Sequence, residues 1–197
     1  MHDLLPNPKN SDLTTQISTL REILKTNKTV WRILEECSRT IRHPWYLGGG
    51  GIYHSVWNYY SNRPIEENLT DYDIFYFSKE NNKKQYREVE TALNSVVDDI
   101  EIDLTNIATV HEWFNKTFDR KIQPYNSIEE DINSFGNSVA SIGVRKVKNE
   151  IEIYAPFGLY DIFAFEVHNM GGLFTKEEYL KKVQSWKSRW PKLKIHI

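Results

Sequence analysis

The sequence predicts an α+β fold, a mixed β-sheet flanked by helices, on three observations. Residues 45–60 read as an apolar strand, a turn of four glycines and a helix. Two strand-like runs, 71–77 and 99–104, enclose a helical pattern, and a strand–helix–strand unit makes neighbouring parallel or mixed strands feasible. Residues 138–154 read as two strands that meet at Lys148-Asn149, which indicates a hairpin.

Helices are also predicted at both ends of the chain. Apolar residues recur with helical spacing over residues 13–37, as two helices or as one helix that is interrupted near Asn27. A last helix begins with a capping box at Thr175 and is stopped by Pro191. We expect these segments to cover the sheet.

A chain of 197 residues fits a single domain. Residues 1–10 contain two prolines and little apolar material, which is typical of a flexible tail. We expect one domain over residues 11–197, with a catalytic core at about 45–165 and helical additions at 11–44 and 175–191.

Composition limits the function classes. The net charge of −2 excludes a global electrostatic field that draws the protein onto nucleic acid. Seven basic residues in 176–194 would form a local phosphate-facing surface, or they are simply the solvent-exposed face of a helix. Cys37 is the one cysteine, so an intramolecular disulfide is excluded, and its helical spacing indicates a buried thiol. No run of eighteen apolar residues occurs and the first ten residues lack a signal pattern, so we expect a soluble, cytoplasmic protein without membrane contact.

The glycine turn requires a physical reason, because consecutive glycines are costly in conformational entropy. Without Cβ atoms, Gly49, Gly50 and Gly51 would let backbone N–H groups approach a ligand at a helix start, where an anion such as phosphate is favoured. The alternative is a tight turn that lets the helix pack closely on the sheet. The glycines alone leave both interpretations open.

Three carboxylates indicate metal chemistry. Side chains alternate along a strand, so Asp71 and Asp73 point to the same side, and a later alternating strand carries Glu101 and Asp103 on one face. Like charges side by side repel unless a cation lies between them, and Mg²⁺ prefers such oxygen ligands. Together with a phosphate-binding turn, Asp71, Asp73 and Asp103 would hold two ions for a phosphoryl displacement, with Glu101 as the rival third ligand.

Other polar residues have two interpretations each. Arg145 on the hairpin would clamp a triphosphate through its planar guanidinium, or it is a charge that protects a sheet edge. Asp161 has a local interpretation as a first-turn carboxylate favoured by the helix dipole. Among the histidines, His54 lies one turn into the glycine-started helix, whereas His111 is only a modest indication of function.

The sequence resembles the DNA polymerase β-like nucleotidyltransferase superfamily, and within it a small bacterial nucleotidyltransferase group. The resemblance covers about residues 20–195 and is specific through the order of its segments, which are GGIYHSVWN, DYDIFYF, DLTNIATVHEW, PYNSIEEDI, SIGVRKVKNEIEIYAPFGLYDIF and KKVQSWKSRWPKLKI. It implies a polymerase β-like core with added terminal helices. Because the family carries the Pro-Phe-Gly-Leu turn with an acidic residue, the resemblance also implies that Asp161 orients a site residue. This sequence departs from the family pattern at Ile107 and Thr109, and its interval between Gly50 and Asp71 is long.

The resemblance implies a metal-dependent nucleotidyltransferase that moves a nucleoside monophosphate from a nucleoside triphosphate such as ATP to an acceptor hydroxyl. Asp71, Asp73 and Asp103 would hold two Mg²⁺ ions, or Mn²⁺ in their place, about 4 Å apart. The acceptor would be an RNA end, reached through the basic C-terminal helix, a protein or a small molecule. A toxin-type enzyme with an antitoxin-like protein partner also fits.

Two alternatives belong to other classes. In the first, the fold serves as a catalytically silent module that binds a nucleotide, RNA or a protein. Metal-dependent activity would distinguish an enzyme from such a module. A metal-dependent phosphohydrolase would use the carboxylates but would leave the glycine turn unexplained.

Overall fold

The computed structural model of the chain describes residues 4–80, 83–97, 100–118 and 120–197. Asp99, the first residue of the alternating stretch, and the first three residues of the expected tail lie outside the described residues. Within the described part, no helix is both long and apolar enough to cross a membrane.

The described residues form eight α-helices and seven strands, in an order that follows the predicted elements closely. The order is α1 (Leu13–Thr26), α2 (Lys28–Thr40), β1 (Trp45–Gly48), α3 (Gly50–Tyr60), β2 (Asp71–Tyr76), α4 (Lys83–Asn94), β3 (Glu101–Asn106), a 3₁₀ turn (Ile107–Thr109), α5 (Val110–Thr117), α6 (Ile128–Asn133), β4 (Gly143–Val147), β5 (Glu150–Tyr154), α7 (Tyr160–Ala164), β6 (Glu166–His168), α8 (Lys176–Arg189) and β7 (Lys194–His196).

The main sheet has five strands in the order β3-β2-β1-β4-β5. Strands β2 and β3 are parallel, while β1 is antiparallel to both β2 and β4, and β4 and β5 form the predicted hairpin. The sheet is therefore mixed, as the sequence predicted. Strands β6 and β7 pair in parallel in a separate small sheet.

The first hairpin strand begins at Gly143, whereas the sequence placed its start at Ser138. The difference has a local cause. The side chain of Asn137 accepts a hydrogen bond from the backbone N–H of Ala140 at 2.7 Å, and its carbonyl accepts one from Ser141 at 3.2 Å. A side chain that bonds to nearby backbone offers an alternative to strand pairing, so residues 137–142 turn before the strand begins.

The two faces of the sheet have different roles. Tyr72, Ile74 and Tyr76 of β2 belong to the main core, on the face where α2, α3 and α4 contact the strands. Alternation places Asp71, Asp73 and Phe75 on the opposite face. This second face carries a smaller apolar cluster formed by Tyr46, Ile107, Ile128 and Ile132. Asp71 and Asp73, two of the predicted site carboxylates, therefore lie on the more open side of the sheet.

The N-terminal helices are two, and Asn27 separates them. Its side chain accepts from the N–H of Val30 at 3.0 Å, which caps α2, and donates to the hydroxyl of Ser55 in α3 at 3.0 Å. Residues ahead of α1, expected as a flexible tail, also make contacts: the Asn7 amide donates to the carbonyl of Phe163 at 2.9 Å. This segment is thus tied to α7 over part of its length.

Helix α8 packs beside α3 through aromatic side chains. The indole N–H of Trp190 donates to the side-chain oxygen of Asn58 at 2.9 Å, and the rings of Trp57 and Trp186 lie 5.8 Å apart. The long connection between α3 and β2 is fastened to the same helix, because Arg63 donates to the carbonyl of Arg189 at 2.7 Å. These contacts fix α8 beside the C-terminal half of α3.

Candidate active site

Asp73 and Asp103 form the centre of the candidate site. The parallel register of β2 and β3 places them directly opposite each other, with Asp71 opposite Glu101 two residues earlier. Asp73 and Asp103 line a cavity of about 280 Å³ on the open face of the sheet, whereas Asp71 and Glu101 are exposed at the strand starts. The structure thus brings together the predicted carboxylates and gives Asp103 the more central position.

The electrostatics of this cluster are unfavourable without a cation. Burial raises the pKa of Asp73 to about 6, and the neighbouring charges of Asp71 and Asp103 act in the same direction. The ammonium of Lys182 opposes the shift only partly. A carboxylate whose charge is disfavoured by burial and by like charges is a fitting ligand for a divalent cation, which removes both penalties.

Gly49 allows the backbone to approach this cluster closely. Its φ of +62° lies in the left-handed region, and a Cβ built on it would stand 2.4 Å from Oδ2 of Asp73. It also precedes α3, whose first N–H groups receive no side-chain cap from it. A Cβ on Gly51 would meet the Tyr72 ring at 2.8 Å, so that position serves close packing, the second sequence interpretation. Gly50 is the first residue of α3.

Lys182 is a site residue that the sequence reasoning missed. It was counted among the basic residues of the C-terminal helix, but it lines the cavity with Asp73 and Asp103. Its ammonium lies 5.5 Å from the centroids of both Phe174 and Trp186. Burial lowers its pKa, although the charges of Asp73 and Asp71 oppose this. The sequence held one indication that Lys182 faces the protein. Lys182 lies three residues after Tyr179 and four before Trp186, so helical spacing puts it beside these buried residues.

The cavity wall away from the carboxylates is mainly apolar and aromatic. It includes Phe75, Trp113, Phe114, Phe135 and Phe174. Helical spacing with Val110 and Phe114 would place Trp113 and Phe118 inside, but they are 47% and 42% exposed. The physical reason is that α5 is only eight residues long and packs through Val110 and Phe114, which leaves Trp113 at the open mouth of the cavity.

Asp131 is a second residue that the sequence did not single out. It lies on α6, is 5% exposed and lines the same cavity. Burial raises its pKa to about 7. Ligand cavities typically have mostly apolar walls with a few polar groups that orient the ligand, and the Asp131 carboxyl is such a group.

Arg145 does not line the cavity. It is on the same sheet face as the carboxylates, but its guanidinium bonds to Glu152 across the hairpin at 2.7 Å and lies over the ring of Tyr46 at 4.9 Å. Its partner Glu152 already satisfies the charge of the guanidinium, so no group of Arg145 is left to clamp a triphosphate. Strand β4 lies between β1 and β5, so Arg145 is not a charge at a sheet edge either.

His54 is part of the aromatic packing between α3 and α8. Its ring lies 4.5 Å from that of Trp190, and both ring nitrogens lack a hydrogen-bond partner among the described residues. Burial, with the charges of Arg189 and Lys182, lowers its pKa to about 3. His54 is therefore a neutral ring at physiological pH and does not line the cavity. His111, half-buried on α5, is not a lining residue either.

A larger cavity, of about 580 Å³, lies at the other ends of β2 and β3. Its wall mixes Glu80, Glu90 and Glu112 with Lys79 and Arg87. It lacks both the in-register carboxylates and the glycine turn. We therefore place the candidate site in the smaller cavity, on its chemistry.

Comparisons with known proteins identify the family and the fold. Residues 38–195 match the protein family described as Nucleotidyltransferase. A solution NMR structure described as a CCA-adding enzyme head domain has a similar fold, with a TM-score of 0.69 and 19% sequence identity over 95% of this chain and 98% of that chain. No curated protein matches the sequence. The predicted family and the predicted α+β fold are confirmed.

Proposed function

Because the chain belongs to the nucleotidyltransferase family, we propose that it transfers a nucleoside monophosphate from a nucleoside triphosphate to an acceptor hydroxyl, with divalent metal at Asp73 and Asp103. The observation that carries the proposal is the in-register pair of these carboxylates beside the glycine turn. Asp71, two residues along the same strand face, would complete the ligand set.

The residues present fit Mg²⁺ or Mn²⁺. All three candidate ligands are carboxylates, the oxygen donors that these ions prefer. Burial first, and then the charges of Asp71 and Asp103, raise the pKa of Asp73, and a cation would offset both effects. When bound, the metal would lower the pKa of the acceptor hydroxyl and offset the charge on the leaving pyrophosphate. The chain itself supplies the orientation of the three carboxylates through strand register.

Lys182 would bind the phosphates of the donor nucleotide. Its ammonium is close enough to the carboxylate cluster to affect the pKa of Asp73, and it reaches the cavity from a helix that is anchored by Trp186 and Trp190. A lysine on a rigid support acts as a fixed positive charge toward phosphate oxygens. The N–H groups at the start of α3 would add hydrogen bonds to the same phosphates.

The aromatic part of the cavity would hold the nucleobase. Phe75, Phe135 and the exposed Trp113 offer flat apolar surfaces, and stacking on aromatic side chains is tolerant of base identity. Asp131 is placed to form a hydrogen bond with an edge of the base, which would give the site a preference among nucleotides.

An RNA 3′ hydroxyl is the first acceptor to test. The exposed lysines of α8, Lys176, Lys181 and Lys187, form a local basic surface on the helix that carries Lys182. Such a surface favours a phosphate backbone even where the net charge of the chain is slightly negative. A protein hydroxyl, a small molecule, and a toxin-type role with a protein antagonist are the further acceptor classes in the same experiment.

The experiment measures transfer of label from each of the four α-labelled nucleoside triphosphates to total RNA or to protein, with Mg²⁺, Mn²⁺ or chelator. The wild type is compared with Asp73→Asn and with Glu88→Gln, a matched control on the exposed side of α4. We expect metal-dependent transfer by the wild type and the control and its loss in Asp73→Asn. Binding of a nucleotide to all three proteins without transfer under any condition would instead identify a silent binding module.

A further inference from the structure

A cluster of metal-binding side chains lies outside the candidate active site, where the two C-terminal strands pair. Strand alternation puts Glu166 and His168 of β6 on one face, and the parallel register places Lys194 opposite Glu166 and His196 opposite His168. Glu166, His168 and His196, here termed the C-terminal cluster, do not line the catalytic cavity. They play no part in the function proposed above.

The ligand atoms of the C-terminal cluster converge. One nitrogen or oxygen from each of its residues lies within 4.8 Å of the other two. Nε2 of His196 is already 3.4 Å from Oε2 of Glu166, which is close to the ~3.4 Å that separates two ligand atoms in a tetrahedral site with bonds of about 2.0–2.1 Å. The imidazoles of His168 and His196 stack with centroids 4.0 Å apart. The side chain of His196 is 44% exposed, so it can rotate until a ring nitrogen of each histidine and the carboxylate of Glu166 face one ion.

Asp161 provides an independent observation that points to a ligand. Its Oδ2 lies 2.7 Å from Nδ1 of His168. A carboxylate at this nitrogen favours the tautomer with hydrogen on Nδ1 and leaves the lone pair of Nε2 for a metal, an arrangement that recurs in metal-binding histidines. Asp161 is fixed in the first turn of α7, so its contact with Nδ1 fixes the orientation of the His168 ring.

The charges and ligand types of the C-terminal cluster determine which metal ions it would bind. Glu166 is the only carboxylate in the cluster, and its Oε1 lies 3.0 Å from the ammonium of Lys194, while Oε2 faces His196. Lys194 is 67% exposed and is free to swing into solvent when a cation arrives. Two imidazoles and one carboxylate suit Zn²⁺, Co²⁺, Ni²⁺ or Cu²⁺, whereas Mg²⁺ prefers a site made of oxygens.

We propose that Glu166, His168 and His196 bind a divalent transition-metal ion of the Zn²⁺ class, with Asp161 orienting His168. Such an ion would fasten β7, the last strand of the described chain, to β6. The small sheet lies next to α7 and receives the hydroxyl of Tyr179, which donates to the carbonyls of Val167 and His196. The ion would thus stabilise the part of the fold that supports α8.

The test titrates Co²⁺ and then Zn²⁺ into the full chain in the presence of excess Mg²⁺, which occupies the catalytic carboxylates. A tetrahedral nitrogen and oxygen site gives Co²⁺ a visible absorption that Zn²⁺ abolishes by displacement. We expect this signal in the wild type and in Asp73→Asn. A Zn²⁺ concentration about 100 times the dissociation constant would raise the melting midpoint by roughly 5–10 °C.

Variants decide between this site and adventitious binding. We expect His168→Gln and His196→Gln to abolish the Co²⁺ absorption, and Asp161→Asn to weaken binding about 10- to 100-fold. His43→Gln, a histidine in the connection between α2 and β1, is the matched control and should bind as the wild type does. Lys194→Met should tighten binding because it removes the competing ammonium. Wild-type affinity in the His168→Gln/His196→Gln double variant, or loss of the signal in Asp73→Asn, would overturn the proposal.

Discussion

Asp73 and Asp103 stand opposite each other on parallel strands, and Gly49 approaches Asp73 so closely that a Cβ on it would lie 2.4 Å from Oδ2 of the carboxylate. This relationship joins the two features that the sequence suggested separately, a glycine turn and a carboxylate strand. It implies that the turn and the proposed metal ligands form one unit, since a change in either would displace the other.

Two substitutions by neutral amides distinguish Asp103 from Glu101 as the third metal ligand. Asp103→Asn should reduce transfer by about 10²- to 10³-fold, because a metal ion supplies several kcal/mol of transition-state stabilisation and each 1.36 kcal/mol is tenfold in rate. Glu101→Gln should keep activity near wild type, since Glu101, unlike Asp103, does not line the cavity. Single-turnover rates at saturating Mg²⁺ provide the measurement. The reverse order of effects would assign the role to Glu101.

Gly49→Ala should lose both stability and activity. The substitution forces a residue with a side chain to φ of +62°, which costs about 1–3 kcal/mol, and pushes the new Cβ against Asp73. Gly158→Ala is the matched control, since Gly158 has φ of +74° but nothing within 4 Å of its Cβ position. Both variants should melt earlier, and only Gly49→Ala should lose metal-dependent transfer. Equal activity in the two variants would contradict a close contact at Asp73.

Stability should fall with rising pH because of Asp131. Burial raises the pKa of this carboxyl in the folded state to about 7, above its usual value of 3.8. Between these values the folded protein holds a proton that the unfolded chain has released, so stability is lost as the pH rises toward 7. Asp131→Asn removes this dependence. Without ligand at pH 8, its melting midpoint should exceed that of the wild type by at least roughly 2–4 °C, the shift expected for ~1 kcal/mol.

The control for the Asp131 prediction is the same pair of proteins at pH 4.5, a value chosen near the ordinary range of an aspartate (about 3.9). There the wild-type carboxyl is protonated in the folded state, and the advantage of the asparagine variant should shrink. A constant difference between the two proteins across this pH range would show that the effect comes from packing and that Asp131 titrates normally.

Lys182→Met should weaken binding of the donor nucleotide. Methionine keeps most of the side-chain length while removing the positive charge that faces the phosphates, so we expect the KM for the nucleotide to rise about 10-fold or more, as for loss of a charge-assisted hydrogen bond worth about 1.5–3 kcal/mol. Lys181→Met, one residue earlier on α8 and outside the lining of this cavity, is the matched control. If Lys181→Met had the larger effect on the nucleotide KM, the basic surface of the helix, and not the cavity lysine, would hold the phosphates.

Several site features were predictable because they depend on local chemistry. The side-chain period of a strand is two, so Asp71 and Asp73 had to share a face, and the run from Ile100 to Leu104 had to separate apolar from acidic residues. The capping box at Thr175 is present as predicted and fixes the start of α8. In each case the determining interactions span only a few residues.

Other features depended on segments far apart in the chain. Lys182 could not be separated from the other basic residues of its helix, since α8 takes its orientation from Trp186 and Trp190 packing against α3. Arg145 was assigned to the site from its place on a strand, whereas Glu152 on the neighbouring strand holds its guanidinium. Trp113 lies exposed because the short helix α5 leaves the cavity mouth open.

The sequence by itself determined the order of the elements, the mixed character of the sheet, the shared face of the carboxylates and the family of the chain. Only the tertiary structure decided that Asp103 faces Asp73, that Lys182 and Asp131 reach the same cavity, and that Asp161 holds His168. The physical reason is that backbone periodicity and capping are local, while strand register and helix orientation are set by the packing of side chains that are distant in sequence.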